Sequence, residues 1–199
     1  MEFENVTFIG PEIEDEELLS QLLNEMSSLL RQINGFIQFG GGFHLRGVCQ
    51  KPLWHSLHYV WQGEGALWKS YPKLLVDDVP FAQDALGDQF ILRGGEVHRL
   101  NSETGDLETL DCDFSAFLRN VQSNFVEYLQ LQPFVQFLND GGNLEAGQLL
   151  SVYPPFCVAH NNEYSYRAIA ALDRLSFLAS FSRQIANLDD GTSIQFKVK

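Results

Sequence analysis

Between Asp77 and Leu118 the apolar pattern switches from strand-like to helical spacing. Gln89-Phe90-Ile91-Leu92 is a short apolar run of strand length, Glu96 to Leu100 alternates outward and inward side chains, and Leu107 to Leu110 offers a third short strand. Arg93-Gly94-Gly95 supplies the positive-φ residues of a tight hairpin, and Gly105 supplies one for the turn from Asn101 to Asp106. Phe114, Phe117, Leu118 and Val121 then recur at helical spacing, with Asp111 or Asp113 placed to cap the helix. The pattern predicts a three-stranded antiparallel meander feeding a helix.

The flanks are read in the same way. Phe3 to Ile9 predicts a short strand, broken by Gly10-Pro11. Leu18, Leu19, Leu22, Leu23, Met26, Leu29, Leu30 and Ile33 lie three or four apart, which predicts one amphipathic helix of about five turns, stopped by Asn34-Gly35. Residues 36–76 read as short strands and loops. After Leu118 the helix is expected to run on through Leu131 to Pro133, with a further apolar turn from Phe134 to Leu138. Leu144 to Ser165 reads as loop, Tyr166 to Leu188 as a second long helix, and Ile194 to Val198 as a terminal strand.

Bulk properties narrow the class. The 199 residues favour a single domain over 1–199, with a core of about residues 12–133 and a C-terminal helical extension over 134–199. No apolar run is long enough to span a membrane, and three dispersed cysteines (Cys49, Cys112 and Cys157) fit reduced thiols, so the expectation is a cytoplasmic protein without a membrane partner. Thirteen basic against twenty-six acidic residues leave a formal charge of −13, which repels nucleic acid and attracts basic partners. Eight of the acids, from Glu2 to Glu25, precede the first basic residue, Arg31. They suit either a solvated helix start or a docking face for a basic partner.

Candidate chemistry is sparse. Gly40-Gly41-Gly42 lacks the GxxxxGK[ST] context of a phosphate loop and reads as a structural turn. His44, Cys49, His55 and His58 lie within fifteen residues, but only His55 and His58 have a pairing typical of zinc ligands, so no metal and no cofactor is expected. Asp77 and Asp78 are adjacent and point to opposite faces of an extended chain, while Asp84 and Asp88 suit turns. Trp54, Trp61 and Trp68 are divided between core and recognition surface. No local catalytic signature is present, and the chain is not expected to be an enzyme; the weaker alternative is a zinc- or cysteine-dependent hydrolase using Cys49.

The stretch Pro80-Phe81-Ala82, Asp84, Gly87-Asp88-Gln89-Phe90, Glu103-Thr104-Gly105 and Phe114-Ser115-Ala116-Phe117-Leu118 resembles the signature of the SUKH superfamily, the Smi/Knr-like proteins. The triple glycine resembles that family's element after its first helix. The resemblance implies an α+β fold: a mostly antiparallel sheet flanked by an N-terminal helix and C-terminal helices. It also implies a bacterial immunity protein that binds a cognate polymorphic or contact-dependent toxin, many of which are basic nucleases, and neutralises it stoichiometrically. The surface expected to do so comprises Gly41, Gly42, Trp54, Trp61, Asp77, Asp78 and Asp84. The alternative is a regulatory protein-binding scaffold, as in some eukaryotic relatives.

Overall fold

A computed structural model describes residues 3–158, 163–189 and 191–192. Seven strands form one antiparallel sheet in chain order: β1 (Val6–Ile9), β2 (Phe36–Gln38), β3 (Phe43–Leu45), β4 (Val79–Asp84), β5 (Gln89–Arg93), β6 (Glu96–Leu100) and β7 (Leu107–Asp113). A separate antiparallel pair, β8 (Gln148–Tyr153) and β9 (Ser165–Ala170), is joined to the sheet's end by the Leu150 amide, which donates to the Ala85 carbonyl at 2.7 Å. The helices are α1 (Glu16–Ser20), α2 (Asn24–Gln32), α3 (Leu57–Trp61), α4 (Phe114–Tyr128), α5 (Gln132–Asn139) and α6 (Ala171–Ile185). The chain is therefore α+β, with an antiparallel sheet flanked by N-terminal and C-terminal helices.

The expected meander is β5–β6–β7 leading into α4. Gly94 and Gly95 sit at φ 58° and 93°, giving the two left-handed residues that let a two-residue turn follow the twist of its strands. Asp113, rather than Asp111, caps α4 by accepting from the Ala116 amide at 2.7 Å. Asp111 sits instead at φ 50°, in the register shift between β6 and β7. The apolar face of α4 lands on the sheet through Phe117, whose ring lies 4.7 Å from Phe90, 5.4 Å from Phe81 and 6.0 Å from Phe43.

Several expected elements change: α4 ends at Tyr128 instead of running on to Pro133, and the region expected as short strands and loops contains the helix α3. The long N-terminal helix is two, broken where Leu23 turns extended (ψ 144°). The break falls within the apolar stripe, and Leu18, Leu19 and Leu22 on one segment and Met26 and Leu30 on the next all reach the core. Residues 148–153, expected in a loop, are β8; Leu149, Leu150 and Val152 are all buried, so covered faces erase the alternation that marks a strand. The helix expected from Tyr166 starts at Ala171, because 165–170 pair with β8 from Gln148↔Ala170 to Tyr153↔Ser165. The strand expected over Ile194 to Val198 lies outside the described residues.

The two faces of the central strands differ in chemistry. Phe43, Leu45, Ala82 and Phe90 meet the aromatic core, whereas the alternating set His44, Arg46, Gln83 and Gln89 is polar, yet buried as well. The loop between β3 and α3, carrying Trp54 and His55, covers this second face.

Candidate docking surface

The residues singled out from the sequence do not form one surface. Gly42 is buried beneath the helices: a Cβ there would stand 3.1 Å from the Phe125 ring and 3.2 Å from that of Phe134. Gly41, at φ 103°, has Leu144 at 3.0 Å on the same test. Gly41 and Gly42 thus bring the backbone against side chains of the same chain. Trp61 is buried in the core, with its indole N–H donating to the Val76 carbonyl at 3.2 Å. Half-buried Trp54 packs against Phe8, His44 and His55 as a lid on the polar face.

Asp84 is buried and accepts from the backbone amides of Leu86, Gly87 and Asp88 at 2.9, 3.0 and 3.1 Å, so it builds the turn between β4 and β5. Burial, and then the neighbouring Asp88 carboxylate, push it up to about 7. Asp88 accepts from Arg99 Nη2 at 2.8 Å and from the Ser102 amide at 2.9 Å, stapling that turn to the next one. Both acids are taken up by architecture. Asp88 also lines a cleft of about 580 Å³, together with its partner Arg99 and the ion-paired Glu103 and Arg174.

Asp77 and Asp78 separate as expected: Asp77 is exposed and Asp78 is buried. Asp78 accepts from Arg93 Nη2 at 2.6 Å and Nε at 2.8 Å, and also from the Leu75 amide at 2.7 Å. Its own amide donates to the Leu75 carbonyl at 3.2 Å, and Arg93 Nη2 also reaches the Lys73 carbonyl at 2.9 Å. Residues 73–78 are therefore clamped from both sides of the turn. The clamp holds Leu75 and Val76 in solvent at 57% and 59% exposure. Trp68, 37% exposed, is tied to the same segment through Trp61: its indole donates to the Trp61 carbonyl, and the Trp61 indole donates to that of Val76.

This knob of Trp68, Leu75, Val76 and Asp77 was only partly visible in the sequence. Asp77 was identified; Leu75 and Val76 were not. The available signal was the run Leu74-Leu75-Val76, because neighbouring side chains on extended backbone cannot all face one core.

The histidine–cysteine region assembles differently from a metal site. His44 Nε2 lies 2.8 Å from His55 Nδ1, and His55 Nε2 lies 3.0 Å from the Asn34 carbonyl. Among the described residues no group of three or more His, Cys, Asp or Glu is placed to hold a metal ion. Cys49 is 2% exposed, and burial pushes its thiol up to about 11, the opposite of an activated nucleophile. No helix among the described residues is long and apolar enough to cross a membrane.

No protein-family model matches the chain, and no curated protein matches it. Among solved structures, the crystal structure of Atu4351 from Agrobacterium tumefaciens is similar, with a TM-score of 0.54 over 87% of this chain and 85% of that one, at 16% identity. At that identity the likeness is one of fold.

Proposed function

We propose that the chain is a cytoplasmic immunity protein of SUKH type that binds and neutralises a cognate toxin, a basic nuclease, by stoichiometric occlusion. The observation that carries this reading is the clamped knob at residues 68–77. A two-bond ion pair and three further hydrogen bonds hold two aliphatic side chains in water beside an exposed carboxylate. Exposed apolar groups on a rigid support suit binding, because little ordering entropy remains to be lost when a partner covers them. The net charge of −13 draws in a basic partner and speeds encounter, while Trp68, Leu75 and Val76 slow release. The sequence resemblance through residues 80–118 supplies the class of partner.

The test is co-expression with the toxin gene adjacent to this one. Wild type should protect the cell, and the double variant Leu75→Asp/Val76→Asp should fail to protect while keeping wild-type stability. Protection by the double variant equal to wild type would sink the docking surface. Failure of wild type to protect would sink the immunity reading and favour a scaffold.

A further inference from the structure

A groove of about 550 Å³ opens between the start of α1 and the 49–64 segment, away from the residues that make up the knob. Its walls are apolar: Leu53, 44% exposed, faces it together with half-buried Tyr59 and buried Cys49. Its polar margin is acidic. Asp15 and Glu64 line it, and Glu14 is tied to it by accepting from the backbone amide of Gln50, a lining residue. Glu64 has no hydrogen-bond or ion-pair partner among the described residues, and Asp15 spends one oxygen, Oδ1, on the Leu18 amide. Two lining carboxylates, Asp15 and Glu64, with Glu14 held beside them, thus share the groove with exposed His58 and one lysine, Lys51, which is itself without an acidic partner among the described residues. Just beyond lies the rest of the acid run at Glu12, Glu16 and Glu17, of which Glu16 is paired to Arg31.

An apolar trough with carboxylates at its lip fits one kind of side chain, a long aliphatic stem ending in a cation. We propose that this groove seats an arginine side chain projecting from the protein partner. The trough covers the methylenes against Leu53 and Tyr59, and Asp15 and Glu64 take the guanidinium. The proposal rests on the immunity reading for the partner's identity. It adds a second contact, joined to the knob through the chain segment 57–69.

The test uses the full chain, labelled with ¹⁵N, and a probe that needs no toxin: the peptide acetyl-Gly-Arg-Gly-amide at low salt. The control replaces arginine by citrulline, which keeps the shape and removes the charge. Saturable shifts at the amides of Gln50, Leu53, Gly63 and Glu64 are expected with the arginine peptide and not with citrulline. Asp15→Asn/Glu64→Gln, in which asparagine still caps α1, should weaken binding by about 3- to 10-fold. Equal shifts with citrulline, shifts elsewhere, or unchanged affinity in the double variant would overturn the groove. Toxin protection is read separately. A wild type that does not protect refutes the immunity reading while the peptide result still judges the groove.

Discussion

His44 and His55 form a direct imidazole–imidazole hydrogen bond of 2.8 Å, and its direction is fixed by what lies at either end. The Asn34 carbonyl can only accept, so His55 Nε2 carries its proton and His55 Nδ1 must accept from His44 Nε2. His44 Nδ1 is then an acceptor for the Gln83 amide at 3.2 Å. Both rings are neutral Nε2–H tautomers in one ordered chain.

That chain makes the fold sensitive to acid. Burial, above all, lowers both histidines, His55 to about 4 and His44 well below its ordinary value. The unfolded chain takes up these protons below about pH 6.5 and the folded one does not, so this contribution to stability is complete above that pH. It declines toward pH 4 by up to about 1.4 kcal/mol per pH unit for each histidine. Asp84, raised to about 7, opposes the trend, since its contribution is lost as pH rises toward that value. The direct check is therefore ¹⁵N NMR of the imidazoles. Both rings should keep the neutral Nε2–H signature at pH 5; a protonated ring there would refute the ordered chain.

Arg46 anchors the other end of the network without a carboxylate. It is wholly buried, donating through Nη1 to the Pro80 carbonyl at 2.8 Å and through Nη2 to the side-chain oxygens of Gln83 and Gln89, both at 2.6 Å. Burial lowers it to about 9, still charged at neutral pH. Arg46→Ala strands these acceptors and opens a cavity, for an expected loss of about 3–5 kcal/mol in urea unfolding. Arg46→Lys keeps the charge but loses the planar fork and should cost less, about 1–3 kcal/mol. Equal losses would show that the fork geometry is irrelevant.

The same network shows why sequence reading reached some features and missed others. The meander from Gln89 to Asp113 was legible because its turns need glycines at positive φ and its helix needs a cap. β8 was not, since Leu149, Leu150 and Val152 are buried and give no alternation. The sequence likewise gives no cue that His44, Arg46, Gln83 and Gln89 share a buried face. Polar residues on alternate positions look like a solvated side until the loop carrying Trp54 and His55 is folded over them. For the docking surface, the adjacent pair Asp77-Asp78 was visible, but which of the two carries an ion pair depends on Arg93, fifteen residues away.

The triple glycine provides a local test. At Gly42 an added Cβ meets the Phe125 and Phe134 rings at 3.1 and 3.2 Å, with the backbone in the ordinary helical region. At Gly40 there is nothing within 4 Å, but φ is 64°. Gly42→Ala should therefore lose about 1–3 kcal/mol by overpacking, and Gly40→Ala about 1 kcal/mol by backbone strain alone. Chemical denaturation of the two variants separates the causes. If the added methyl is the cause, trimming Phe125 to Leu should rescue Gly42→Ala and leave Gly40→Ala unchanged.

The Arg93–Asp78 clamp makes the final prediction, which joins stability to binding. Asp78 is buried and Arg93 is its cationic partner, so Arg93→Met leaves a carboxylate stranded and should cost about 2–3 kcal/mol. Asp78→Asn added to that variant removes the stranded charge while leaving a side-chain oxygen for the Leu75 amide, so the double variant should recover part of the loss. Its turn nevertheless lacks the ion pair, and Leu75 and Val76 lose their fixed presentation. Toxin protection should therefore fall even where stability returns, a divergence that unfolding curves and a survival assay on the same variants would reveal. If protection instead follows stability through the whole cycle, the clamp serves the fold and not the knob.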